Sequence, residues 1–379
     1  MRRPTSSLSV LAVLAALLLG ACGGGAATTG APPGPAGNTA GAKASSDVYA
    51  QIAALPKDQQ RAKAEELAKK EGALSIYTSM TQDVANAIAK AFEEQYGIKT
   101  SVFRGNSETV LQRITQEAQA NRLGADAVET NFVELAAMSD QGVLQPYTGT
   151  AVDKVTDKGR FTNWTATRFN IFQPAWNTNL IKPGDEPTSW ESLADPKYKG
   201  KITVELSDSD WFAAVTQYWL ANGKSQQQVD DLWKKIVANS KVAKGHTTMM
   251  QLLGAGQTPM NAMNYTYITY RAAKEGAPVA YLPASGTSTI PAFPRPNGVG
   301  MLKGAKNPAA AWLFYDWLLS DGQKVIVKQG LTPSTKVADD KSLDGITLAP
   351  FPVDELRKNG AAWATKFDEL LRGVEQIKK

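Results

Sequence analysis

Glu71-Gly72-Ala73-Leu74-Ser75-Ile76-Tyr77-Thr78-Ser79-Met80-Thr81 opens the stretch that decides the fold, which runs on to Thr130. Ala73–Tyr77 is an apolar run of strand length. A helical pattern follows, with Val84, Ile88, Ala91 and Phe92 on one face, and it stops at Gly97. Ile98–Phe103 alternates as a second strand, and Arg104-Gly105-Asn106-Ser107 is a turn. A second helix carries Val110, Leu111, Ile114 and Ala118 inward. Asp126–Thr130 is a third short strand, and Asn131 opens a third helix. Strand, helix, strand, helix, strand is the pattern of a parallel sheet with crossover helices. Three loops leave the carboxyl ends of these strands, where open α/β sheets bind ligands against helix starts. They place Thr78, Ser79, Met80, Arg104 and Asn131 as candidate ligand contacts. No phosphate-binding glycine fingerprint accompanies them, which argues against nucleotides.

Composition narrows the function classes. The formal charge is +5, and loss of Arg2 and Arg3 with an export signal leaves 39 basic against 36 acidic side chains. Lysines and acids interleave along the helices, so no basic stripe for nucleic acid is formed. Cys22 is the one cysteine and His246 the one histidine. Internal disulfides, thiolate clusters and paired-histidine cages are thereby excluded, and no G-x-S-x-G element supplies a nucleophile. No enzyme and no cofactor are expected.

Met1–Cys22 reads as an export signal: two arginines, the apolar run Leu8–Leu19, then Leu19-Gly20-Ala21-Cys22. That tetrad resembles a bacterial lipobox, in which the cysteine is acylated and becomes the new N-terminus. Gly23 to about Ser46 has the Gly/Ala/Pro composition of a flexible tether. Asp47–Lys70 is helical in pattern. Further on, Phe169–Trp176 and Lys201–Glu205 read as strands, and Ser207-Asp208-Ser209-Asp210 supplies a cap for the next helix. Lys244–Thr248 leads into a helix, Met260–Met263 is a strand, and Asn264–Tyr267 opens a helix. Val279–Leu282 and Gly298–Leu302 are strands, and Ala309–Leu319 is a strongly apolar helix. Trp176, Ser207, Ser209, Trp211, Thr247 and Tyr265 are the candidate contacts from this second half.

Taken in order, these pieces resemble the extracellular solute-binding proteins of ABC importers, in the branch similar to ferric-iron-binding proteins. The matching segments are Ala68–Gly72, Leu74–Ser79, Phe92–Lys99, Arg104-Gly105, Ala125-Asp126, Trp190–Lys201, Glu275–Val279 and Lys303–Pro308. The resemblance implies an α/β, two-lobed type 2 periplasmic-binding-protein fold, each lobe a mostly parallel sheet flanked by helices. Two hinge crossings, expected near Phe169–Asn177 and Ala277–Tyr281, would join the lobes, with ligand between them. Residues 1–21 would be the signal peptide and 22–46 the lipidated cysteine and tether. Lobe one would take 47–170 with about 280–318, and lobe two 171–279 with about 319–379.

The same resemblance implies a lipid-anchored monomer on the extracytoplasmic face of the cell membrane, delivering a small ligand to a membrane permease. Iron-binding relatives carry two adjacent tyrosines where this chain has Tyr265 and Thr266, with Tyr267 one step further round a helix. That departure favours a small organic anion, meaning a phosphonate, phosphate ester or carboxylate, with Arg104 as a planar grip. The alternative is ferric iron with a synergistic anion, held by Tyr265, Tyr267 and His246. A ligand-binding sensor partnered with a membrane kinase is the alternative class.

Overall fold

The computed structural model describes residues 39–377; the expected signal segment, Cys22 and most of the expected tether lie outside them. The chain begins with helices α1 (Thr39–Ala53) and α2 (Lys57–Glu71). Thr39–Ser46, expected in the tether, is the first half of α1 instead. Tyr49 and Ile52 anchor that helix in the core, and the Tyr49 hydroxyl donates to the Leu302 carbonyl at 3.2 Å. Burial of an aromatic and an aliphatic side chain outweighs the weak helical signal of the preceding residues. The single helix expected over Asp47–Lys70 breaks at Pro56, which immediately precedes α2.

The deciding stretch folds as its periodicity dictates: β1 (Ala73–Thr78), α3 (Gln82–Tyr96), β2 (Lys99–Arg104), α4 (Ser107–Gln119), β3 (Ala127–Asn131) and α5 (Phe132–Asp140). β1 lies between β2 and β3 and pairs parallel with both. After β4 (Leu144–Gln145) comes β5 (Thr165–Asn177), at 13 residues the longest strand. The second half follows as β6 (Ile202–Glu205), α6 (Ser209–Ala221), α7 (Gln226–Ala238), β7 (Ser240–Ala243), α8 (His246–Gly254), β8 (Met260–Tyr265), α9 (Thr266–Lys274) and β9 (Val279–Ala280). β6 pairs parallel with both β7 and β8. The chain then returns through β10 (Phe293–Leu302), α10 (Pro308–Leu318), α11 (Gly322–Lys328), β11 (Thr332–Pro333) and α12 (Val353–Leu371).

The sheet order is β2-β1-β3-β10-β5-β8-β6-β7. Each half is therefore a parallel three-stranded unit, and the antiparallel pair β5–β10 lies between them. β5 carries the first crossing, running from Thr165 beside Val299 to Trp176 beside Met260. The return crossing is β10, not Ala277–Tyr281. Val279 and Ala280 form β9, which pairs with Asn177 and Trp176 at the far end of β5. The sequence showed only the second half of β10, Gly298–Leu302, because the first half contains Pro294 and Pro296. Both pair with β5 before β3 joins at Asn297, so their missing N–H groups cost the sheet no bond on that edge.

Side chains alternate along this pair. Arg168, Asn170 and Phe172 of β5 share a face with Asn297, Arg295 and Phe293 of β10, and Phe169, Ile171, Pro294 and Pro296 take the other. The register slips between Asn297 and Gly298. There the strands approach so closely that a Cβ on residue 298 would lie 2.3 Å from the Thr165 carbonyl oxygen and 2.6 Å from the Trp164 ring. Gly298→Ala is expected to cost about 2–3 kcal/mol through this clash. A lowered urea midpoint checks it, and an unchanged midpoint would show that the two strands part easily.

Candidate functional site

A cleft of about 740 Å³ opens over the face of β5–β10 that carries Arg295. It is walled by the starts of helices. The residues immediately preceding α3, α4 and α5 are Thr81, Asn106 and Asn131; those preceding α6, α8 and α9 are Asp208, Gly245 and Tyr265. All six line the cleft, and none makes a side-chain capping bond to its own helix. Each helix start leaves N–H groups without intrahelical partners and carries about half a positive charge.

Most of the candidate contacts converge here. Ser79, Arg104, Asn131, Ser207, Ser209, Thr247 and Tyr265 line the cleft, as do His246 and Tyr267. Arg104 is steered by its Nε, which donates to the Met80 carbonyl at 3.1 Å. Ser79 accepts from the Thr130 hydroxyl at 3.0 Å.

Four candidates do not reach it. Thr78 is buried: its hydroxyl donates to Glu129 Oε2 at 3.0 Å and accepts from the Met80 N–H at 3.0 Å. Met80 itself points into the core. Trp176 is buried near the end of β5, where it pairs with Met260 and Ala280. Trp211 is fully buried, with its ring 5.2 Å from Trp233 and 5.9 Å from Trp190. A helix turns about 100° per residue, so Ser209 and Asp210 face the cleft while Trp211 is carried into the core. Tyr267 runs the other way. One step past Thr266, it still lines the cleft, because α9 begins only at Thr266; its ring stacks on Tyr265 at 6.0 Å and 8°.

Arg295 is a cleft residue that the sequence did not single out. It is buried in β10, where a proline on either side disguises the strand. Its Nη1 lies 3.1 Å from Asp210 Oδ2 and 3.5 Å from Asp208 Oδ1. Its Nη2 donates to Asn131 Oδ1 at 3.4 Å and to the Tyr265 oxygen. The guanidinium also sits 5.0 Å from the Phe172 ring centre and 4.9 Å from that of Tyr265. Arg295 thus touches α5's start in one half and α6 and α9's starts in the other.

Around it the second half is acidic. His246 Nε2 lies 2.7 Å from Asp208 Oδ2, and its Nδ1 is 3.2 Å from Asn264 Oδ1. Burial tends to raise Asp208, but His246 and Arg295 outweigh it and hold its carboxyl below the usual range. Burial raises Asp210 despite the pull of Arg295. Glu205 accepts from the N–H groups of Gly245 and Ser207. Burial and the neighbouring Asp208 nonetheless push it up to about 7. Burial also raises the Tyr265 phenol well above its ordinary value, against the pull of Arg295. The arrangement is built to hold a small polar molecule: positive helix ends for an anion, carboxylates as hydrogen-bond acceptors, and aromatic faces for stacking.

Two half-sheets joined by crossing strands, with a polar cleft between helix starts, define a two-lobed binding protein. Residues 87–348 match the family model described as bacterial extracellular solute-binding protein, and the chain belongs to that family. Such proteins serve ABC importers: they bind a solute and deliver it to a membrane permease.

An uncharacterized protein of Haemophilus influenzae is 28% identical over 276 residues, 69% of this chain and 78% of that one. Iron uptake protein A1 of Synechocystis sp. is 23% identical over 275 residues, 68% of this chain and 73% of its own. Among solved structures, the periplasmic binding protein AfuA of Actinobacillus pleuropneumoniae, with exogenous fructose-6-phosphate bound, superposes with a TM-score of 0.68 at 25% identity. That match covers 80% of this chain and 99% of AfuA. Iron-bound HitA of Pseudomonas aeruginosa gives 0.66 at 22%, covering 78% and 99%.

Glu205 sets a pH dependence of stability. It titrates near 7 when folded and near 4.5 in its ordinary state, so between those values the folded chain holds a proton that the unfolded chain has lost. Stability therefore falls as pH rises through this window, by on the order of 3 kcal/mol for this group. Glu205→Gln is expected to raise the ligand-free melting temperature at pH 8 while leaving it little changed at pH 4.5. Equal effects at both pH values would contradict the assignment.

Proposed function

We propose that this chain captures a small phosphate ester bearing hydroxyl groups and passes it to its permease, from a lipid anchor at Cys22. The observation that carries the ligand class is the set of six helix starts facing one cleft. Such starts favour a phosphate by 0.3–1 kcal/mol each at the surface, roughly, and by more when part-buried. Ser79, Arg104, Asn106 and Ser107 supply further donors on the lobe-one wall. The acids of lobe two suit the rest of such a molecule, because carboxylates accept hydrogen bonds from hydroxyls. That the Actinobacillus relative holds fructose-6-phosphate supports this reading. Closure about β5 and β10 would bring the two walls onto the ligand.

Ferric iron with a synergistic anion is the second reading. It is favoured by Tyr265 and Tyr267 both lining the cleft and by the iron-binding relatives. Against it, the Tyr265 oxygen already accepts from Arg295, whose charge opposes a cation at the same spot.

Isothermal titration against fructose 6-phosphate, fructose and ferric citrate separates the readings. Binding of the ester, with at least a hundredfold loss for the unphosphorylated sugar, is expected. A visible tyrosinate-to-iron band with ferric citrate, and no ester binding, would overturn it. For the anchor, Cys22→Ser is expected to abolish labelling by a palmitate analogue and release the protein from membranes; persistent labelling would refute acylation at that residue.

A further inference from the structure

One carboxyl on the lobe-one wall is out of keeping with its surroundings. Glu134, the third residue of α5, lines the cleft and is 8% exposed, and its Oε2 is buried with no hydrogen-bond partner. A buried carboxylate oxygen left unpaired is costly, and the cost disappears if that oxygen carries a proton toward an acceptor. The same cleft wall carries Asp83, Arg104 and Glu108, and the facing wall Glu205, Asp208, Asp210 and Lys244. α4 contributes Glu108 beside Ser107, and β10 contributes Arg295. The acid of neighbouring β3, Glu129, is paired with Arg168 at 3.1 Å. Arg357 of α12 lies at the other end of α5, with Ala136 and Asp140. Burial dominates and pushes Glu134 up to about 7; its own backbone N–H and Arg295 pull it down less strongly, and Glu108 adds to the rise.

We propose that Glu134 donates a hydrogen bond from its carboxylic acid to a phosphate oxygen of the ligand. The inference rests on the phosphate-ester reading above. The helix starts at Asn106 and Asn131 supply N–H donors on either side, Ser79 and Ser107 supply hydroxyls, and Glu134 adds an acid O–H beside them. A phosphate monoester loses its second proton near pH 6, roughly, so at neutral pH and above it arrives as a dianion. The bound pair then shares a single proton between two acids. Above pH 7 that proton is taken from solvent on binding, and no proton leaves the complex.

The test is titration of the purified protein with fructose 6-phosphate at pH 6, 7, 8 and 9, in buffers of different ionisation heat. The wild type is expected to take up about one proton per ligand at pH 8 and to lose affinity about tenfold per pH unit above 7. Glu134→Gln keeps a donor but needs no proton, so binding should persist with the uptake abolished and the profile flat. Glu205→Gln should retain the uptake. Undiminished uptake in Glu134→Gln, or uptake lost in Glu205→Gln instead, overturns the role of Glu134 while leaving the ligand class standing. No binding of the ester by the wild type overturns both.

Discussion

A buried guanidinium cannot stay charged without partners, and the cleft of this protein is arranged around one. Arg295 sits near the start of the crossing strand β10, with Asp208 and Asp210 on one side and Asn131 on the other. Burying an ion costs several kcal/mol, roughly, which only close counter-charges and hydrogen bonds offset. The start of α6 must therefore lie against β10, and Tyr265 must close over the top, its ring contributing a cation–π contact. The two halves meet at this residue because neither alone satisfies it.

Both walls of the cleft mix donors and acids. Lobe one presents helix starts with serine, asparagine and arginine side chains, together with Asp83, Glu108 and Glu134. Lobe two presents helix starts too, and overlays them with Glu205, Asp208 and Asp210. Asp208 and Asp210 are largely answered by Arg295 and His246, which leaves their remaining lone pairs as acceptors. A ligand with an anion at one end and hydroxyls at the other fits this mixture; a bare cation meets Arg295, and a simple dianion meets the acids. On the same face of β5, the buried Arg168–Glu129 pair continues the pattern.

The continuous strands explain how two lobes act as one receptor. β5 and β10 pair from Phe172–Phe293 to Thr165–Val299, so any relative rotation of the lobes bends this ribbon. The close approach at Gly298 pins the register at the lobe-one end. On the family's terms, ligand capture and permease recognition then depend on how that ribbon flexes.

Sequence alone determined the local units. The period-two and helical repeats of Ala73–Asn131 gave strands and helices in the right order, because those signals come from neighbours a few residues apart. Ser79, Arg104, Asn131, Ser207, Ser209, Thr247 and Tyr265 could be placed at strand ends and helix starts for the same reason, and all of them line the cleft. Tertiary structure decided the rest. Met80 and Trp211 lie one or two residues from cleft positions, and only packing chooses which face of a turn goes inward. The Pro294-Arg295-Pro296 segment reads as a loop until β5 is beside it, since its strand character comes from a partner more than a hundred residues away. Arg295, Glu134 and Glu205 became legible only in the folded chain, because burial and the charges of distant segments set their chemistry.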